Sequence, residues 1–218
     1  MTVNVETARN AAGRLVPLVV NGRRETPYPG VGKQPVTGQR KAAPPVRRAT
    51  DYPADGDKRV PDLETALRRI GLADGMVISN HHHLRNGDAV ALLALHAAER
   101  IGVRDLMWFP SASFPCHEPV IGMMDRGLVH HIEGSMNGPL GEYCTRGRMR
   151  GLGVLRSHGG RWQAIQDGEV HIDVAVIAAP TADPFGNANG SHGKSACGSL
   201  GFALADSMYA DHVIVVTD

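Results

Sequence analysis

Met76-Val77-Ile78-Ser79-Asn80-His81-His82-His83-Leu84-Arg85-Asn86-Gly87-Asp88 opens as an apolar run of strand character and then turns abruptly polar. Beyond Asn86-Gly87 the chain becomes rich in alanine and leucine from Ala89 to Arg100, a helix pattern with Asp88 where an N-cap belongs. The segment reads strand, polar loop, helix. In open α/β sheets the loops at the carboxyl ends of the strands hold the ligand. Three histidines, an arginine and two asparagines exceed what a connection needs, so this loop reads as the first wall of a small-molecule site.

Working outward, the same alternation continues. Strand patterns fall at Asp105–Phe109, Val129–Glu133, Val154–Ser157, Asp173–Ala178 and His212–Val216. Helix patterns fall at Glu118–Arg126, Leu140–Arg148, Trp162–Asp167 and Ala196–Tyr209. Continuous apolar strands separated by helices imply an α/β fold, a mostly parallel sheet with helices on both faces. Upstream, Asp62–Gly71 is a short amphipathic helix with a capping aspartate and a terminal glycine. Residues 1–61 hold eight of the fourteen prolines and little periodicity. They read as an extended, irregular, basic arm, and residues 62–218 as one α/β lobe.

The totals narrow the function classes. A chain of 218 residues with 42% hydrophobic and 21% charged residues is that of an ordinary globular protein. No apolar run reaches a membrane span of roughly 18 residues, so no membrane role is expected. The arm carries eleven Lys/Arg against five Asp/Glu, and the remainder twelve against seventeen. The basic charges lie among prolines without interleaved aromatics, and the lobe is mildly acidic, so no nucleic acid partner is expected. Cys116, Cys144 and Cys197 are far apart and odd in number, which fits a reducing cytoplasm and no disulfide framework.

Most later strand patterns also end in polar or glycine-rich residues, and such loops at successive strand ends would face one crevice. His81 and His83 stand as His-x-His, a spacing that invites a metal reading, although no HExxH-type motif accompanies it. Hydrogen bonds to a ligand are the favoured reading, with no metal, and structural imidazoles are the alternative. Arg85 and Asn86 follow on the same loop. Gly186-Asn187-Ala188-Asn189-Gly190 with Gly193-Lys194-Ser195 departs from the phosphate-loop spacing, since alanine stands at 188. Glycine-rich backbone opening a helix would still bind an anion, with Lys194 adding a point charge. Ser157 and His158 are too close in sequence to serve as nucleophile and base. Gly159, Gly160 and Arg161 read instead as an oxyanion or carboxylate clamp. Glu118 is the one strand-end carboxylate beside a histidine, a candidate base or nucleophile, with a helix-terminal charge as the alternative.

Taken together, Gly75–Asp88, Ser157–Arg161, His171–Val174, Gly186–Gly190 and Gly193–Gly201 resemble the alpha subunits of citrate lyases, citrate:acyl-carrier-protein transferases. Gly30–Lys33 and Arg40–Pro45 in the arm fit as well, so the likeness runs from about Asn21 onward. The resemblance implies a coenzyme A transferase fold, of which this chain would be the amino-terminal lobe. It implies exchange of acetyl for citrate on a coenzyme-A-like phosphopantetheine group of the acyl carrier, releasing acetate. That group belongs to the carrier, so no cofactor is expected to be bound covalently here. Implied partners are citrate, the carboxyl-terminal transferase lobe, and the beta (lyase) and gamma (acyl carrier) subunits, in an oligomer. His81, His83, Arg85, Asn86, Gly159, Gly160, Arg161, Asn187, Asn189 and Lys194 are then substrate-binding candidates. The main reactive glutamate is expected in the other lobe, with Glu118 the candidate in this one. A non-catalytic lobe for assembly or ligand sensing, and a metal-dependent hydrolase using His81 and His83, are the competing functions.

Overall fold

The computed structural model describes residues 5–20, 22–27, 56–81 and 85–217. The chain begins with two small antiparallel hairpins, β1 (Thr7–Arg9) with β2 (Leu15–Pro17) and β3 (Val19–Val20) with β4 (Arg23–Arg24). This part of the arm is therefore not irregular. The Asn10 side chain accepts the N–H groups of Ala12 and Arg14, and Gly13 takes a positive φ of 73°, which closes the first turn. The stretches Gly30–Lys33 and Arg40–Pro45 lie outside the described residues.

Helix α1 (Leu63–Arg69) starts where Asp62 accepts the Thr65 N–H at 2.7 Å. Next come β5 (Val77–Asn80), α2 (Val90–Ile101), β6 (Leu106–Pro110), α3 (Val120–Asp125), β7 (Val129–Gly134) and α4 (Pro139–Thr145). The chain continues through β8 (Val154–Leu155), α5 (His158–Gln166), β9 (Val174–Ala178), the short hairpin β10 (Thr181–Ala182) and β11 (Ala188–Asn189), α6 (Gly201–Tyr209) and β12 (His212–Val216). Six of these strands form one sheet in the order β12-β9-β5-β6-β7-β8, with every pairing parallel.

Successive side chains of a strand point to opposite faces, and two apolar layers result. Ile78, Leu106, Trp108, Val174 and Val176 meet α1, α2, α3 and α4 on one face. Phe109 and Ala175 meet α5 and α6 on the other. The chain runs outward from β5 to β8, then returns to β5's other side as β9. A reversal of this kind opens a crevice at the carboxyl ends of the strands. Among the described residues, no helix is long and apolar enough to cross a membrane.

Candidate functional site

The ends of β6 and β7 are held together beyond the sheet itself. Ala112 and Ser135 form a further parallel bridge, and Ser113 donates its N–H to Ser135 O at 2.8 Å. Asn137 then folds back, donating its N–H to Ser113 Oγ at 3.2 Å and its Nδ2 to Ser113 O at 3.0 Å. Gly134 makes this approach possible. Its φ is +143°, and a Cβ there would lie 2.3 Å from Pro110 O. The two strand-end loops are thus fixed side by side as one wall.

The opposite wall comes from α5 and α6. Ser157 caps α5 by accepting the Gly160 N–H at 3.1 Å, which directs the first turn of the helix toward the strand ends. Between the walls lies an open cleft of about 490 Å³, bounded by Ser111, Asn137, Arg156, His158, Arg161 and Phe202 among others.

Below the cleft sits a buried charge assembly. Arg161 donates Nη1 and Nη2 to the two carboxylate oxygens of Asp206 at 2.6 and 2.7 Å, and Nη2 also reaches Phe109 O at 3.1 Å. Its guanidinium stacks 4.3 Å from the Phe109 ring centre. His81 Nε2 stands 3.2 Å from the second Asp206 oxygen. Burial by itself would raise the Asp206 carboxyl, but the contacts with Arg161 and His81 outweigh it and hold the group well below the usual range. Phe202 lies between two imidazoles, 6.4 Å from His81 and 4.8 Å from His158.

Arg156 is paired as well. Its Nε donates to Glu133 at 2.6 Å and its Nη2 to Glu169 at 2.9 Å. Burial would raise Glu133, yet hydrogen bonding to His131 and the charge of Arg156 keep it lowered. A second buried clamp joins the loop of the opening stretch to the loop after β6. His117 accepts the Phe114 N–H on Nδ1 at 2.9 Å, so its other nitrogen carries the proton donated to Asp88 at 2.9 Å. Asp88 also accepts the Val90 N–H at 3.0 Å, but the N-cap position of α2 falls at Ala89, one residue later than expected.

Several expected residues fall elsewhere. His83 and the side chain of Arg85 lie outside the described residues. Asn86 is exposed and accepts the Cys116 N–H at 2.8 Å. Gly159, Gly160 and Arg161 are not a loop clamp but the first turn of α5; the Gly160 N–H is used by the cap, and Arg161 points inward to Asp206. Asn187 donates Nδ2 to Asp183 at 2.8 Å, and Asn189 accepts from Ser191, so both shape their own exposed hairpin. Lys194 is exposed. The expected helix over Ala196–Tyr209 begins only at Gly201, because Cys197 and Gly198 both donate their N–H groups back to Gly190 O at 2.9 Å and Gly198 takes a positive φ of 90°. The glycine loop therefore does not open a helix directly. Glu118 is exposed just before α3 and is not among the residues bounding the cleft.

Asp206 and Phe202 were not singled out by sequence reasoning. The available signal was one carboxylate in the otherwise apolar start of α6, Gly201-Phe202-Ala203-Leu204-Ala205-Asp206. Cys116 is near His117, with Sγ to Nδ1 at 3.7 Å, but burial and the neighbouring Asp88 charge raise its thiol. That is the reverse of an activated nucleophile. His171, Asp173 and Asp211 form a further group that could hold a metal, with His171 Nε2 2.7 Å from Asp211. It stands at the amino ends of β9 and β12, opposite the cleft, where Asp173 accepts the Val77 N–H at 2.7 Å.

Comparison with known proteins gives consistent matches. The family model for the citrate lyase alpha subunit, CitF, matches residues 56–218. The citrate lyase alpha chain of Klebsiella pneumoniae is 45% identical over 157 residues, covering 72% of this chain and 31% of its own length. That of Haemophilus influenzae is 38% identical over 177 residues, covering 81% and 35%. Among solved structures, one described as the alpha subunit of citrate lyase from Streptococcus mutans, in complex with citrate, has 40% identity and a TM-score of 0.75, covering 83% of this chain and 34% of that one. The chain spans about a third of the length of the curated relatives it matches.

Proposed function

Since the chain belongs to the citrate lyase alpha-subunit family, we propose that it is the lobe that receives citrate in the transfer of an acyl-carrier thiol from acetyl to citrate. The observation carrying this reading is the cleft at the carboxyl ends of β6, β7 and β8, bounded by Ser111, Asn137, Arg156, His158 and Arg161. A tricarboxylate asks for several converging donors around a small volume. Ser111 Oγ and Arg161 Nε, both buried beside the cleft, have no hydrogen-bond partner among the described residues. Buried polar atoms without a partner call for one, and a polar ligand seated in the adjoining cleft is the source this reading assigns. The first turn of α5 adds the favourable field of a helix amino terminus.

The chemistry of transfer also needs a carboxylate that attacks the thioester. Among the described residues the cleft offers no good candidate: Glu133 is held by His131 and Arg156, Asp206 by Arg161 and His81, and Glu118 stands outside. The lobe's part is to bind and orient citrate beneath the acyl-carrier arm, and the reactive carboxylate comes from the remainder of the longer family chain. The beta and gamma subunits of the lyase complex are the expected partners, and citrate cleavage the overall outcome.

Acetate release from acetyl-coenzyme A and citrate tests this reading, with this chain alone and with the rest of a relative's alpha chain added. Release only from the mixture is the expected result. Turnover by this chain alone would overturn the division of labour, and none in either arm would overturn the transferase reading.

A further inference from the structure

Three sulfur atoms converge beside α4. The Cys144 thiol lies 3.3 Å from Sδ of Met136, in the loop after β7, and 3.8 Å from Sδ of Met149, in the loop before β8. Met149 is buried, and Met136 and Cys144 are half-buried. Gly153 makes room for the two thioethers. A Cβ there would stand 3.0 and 3.1 Å from the methyl carbons of Met136 and Met149, and 3.5 Å from the Met136 sulfur. Both methionines therefore have their methyl groups at Gly153 and their sulfurs at Cys144.

We propose that Cys144, Met136 and Met149 form a three-sulfur site for a soft monovalent cation of the Cu(I) class. Thiolate and thioether ligands select such an ion, whereas calcium and magnesium require oxygen donors and structural zinc four harder or anionic ligands. With metal–sulfur bonds of about 2.3 Å, a trigonal set places its sulfurs about 4 Å apart. The two separations from Cys144, 3.3 and 3.8 Å, are shorter than this, and the thioethers can open on their rotatable side chains. Binding breaks the Cys144 S–H bond and forms an S–Cu bond, with the proton released to water. Because binding releases that proton, affinity should increase with pH. Met136 stands between Ser135 and Asn137, both of which bound the cleft, so occupancy would be transmitted to that wall.

The test is anaerobic Cu(I) titration against a chromophoric Cu(I) chelator, using the Cys116→Ser/Cys197→Ser form of this chain to leave one thiol. The expected result is one tightly held equivalent that protects Cys144 from iodoacetamide. Met136→Leu/Met149→Leu, nearly constant in volume and checked for folding by circular dichroism, should weaken binding by at least the ~10-fold that loss of an outer-shell partner costs. Complete transfer of Cu(I) from the parent to the chelator would overturn the proposal. So would equal affinity in the folded double-leucine variant.

Discussion

Arg161 and Asp206, 45 residues apart, meet through two hydrogen bonds of 2.6 and 2.7 Å with neither side chain open to solvent. The pair locks α5 to α6 beneath the cleft and places His81, at the end of β5, against the same carboxylate. The wall carrying His158 and Phe202 is positioned by this junction.

Removing one partner leaves a buried charge. Asp206→Asn should therefore lower stability at neutral pH by about 3–5 kcal/mol. The double replacement Arg161→Met/Asp206→Leu should recover much of that loss, because an apolar pair needs no desolvation of ions. Urea unfolding midpoints of the three proteins check the order. A double variant no more stable than Asp206→Asn would contradict it.

The same pair sets a pH dependence. The folded carboxyl of Asp206 is depressed below its ordinary value of 3.8, so its contribution is fully present above that value and is lost as pH falls through the lower folded value. The parent should lose stability on acidification below about pH 4 more steeply than Asp206→Asn. Unfolding curves at stepped acidic pH measure the two slopes. Parallel slopes would exclude Asp206 as the source.

His117 and Asp88 tie the loop of Arg85–Gly87 to the turn Pro115–His117. His117→Ala removes the donor to a buried carboxylate and the acceptor of the Phe114 N–H. The cost should be about 1–3 kcal/mol for each group left unsatisfied. Hydrogen exchange should show the loss of protection concentrated in residues 85–90 and 113–118. Loss confined to distant helices would argue against the clamp.

At Gly134 the expected effect is steric. Alanine would bring a Cβ to 2.3 Å from Pro110 O at a φ that side chains rarely adopt. Gly134→Ala should cost more than the ~1–3 kcal/mol of backbone strain alone. A melting temperature equal to that of the parent would contradict the close approach of β6 and β7.

Much of this architecture is legible in local sequence. β12 runs over His212–Val216 as the apolar pattern indicates, and β5, β6, β7 and β9 lie within a residue or so of their expected bounds. β5, β6, β7 and β9 are largely buried, and the edge strand β12 is only half-buried with Val213 exposed, yet continuous apolar composition marks all five. The site is less legible because it depends on tertiary partners. Ser157–Arg161 carries the polar chemistry of a ligand loop, but the Ser157 hydroxyl caps a helix and Arg161 turns to a carboxylate in α6. No local pattern reports a pairing across 45 residues. Asn187 and Asn189 look like ligand donors for a similar reason, whereas Asp183 and Ser191 occupy them within the hairpin. Conversely, Ser111 and Asn137 are ordinary loop residues until the parallel strands bring their ends together.

The central claim, that the cleft between β6–β8 and the start of α5 receives citrate, is tested most directly by calorimetric titration of citrate into this chain and its Ser111→Ala/His158→Ala variant. Neither residue takes part in the Arg161–Asp206 junction, and circular dichroism checks that the variant keeps the fold. Saturable binding by the parent, weakened at least about tenfold in the variant by loss of two polar contacts, is the expected result. Equal affinity in the two proteins, or no citrate binding by the folded parent, would contradict the account.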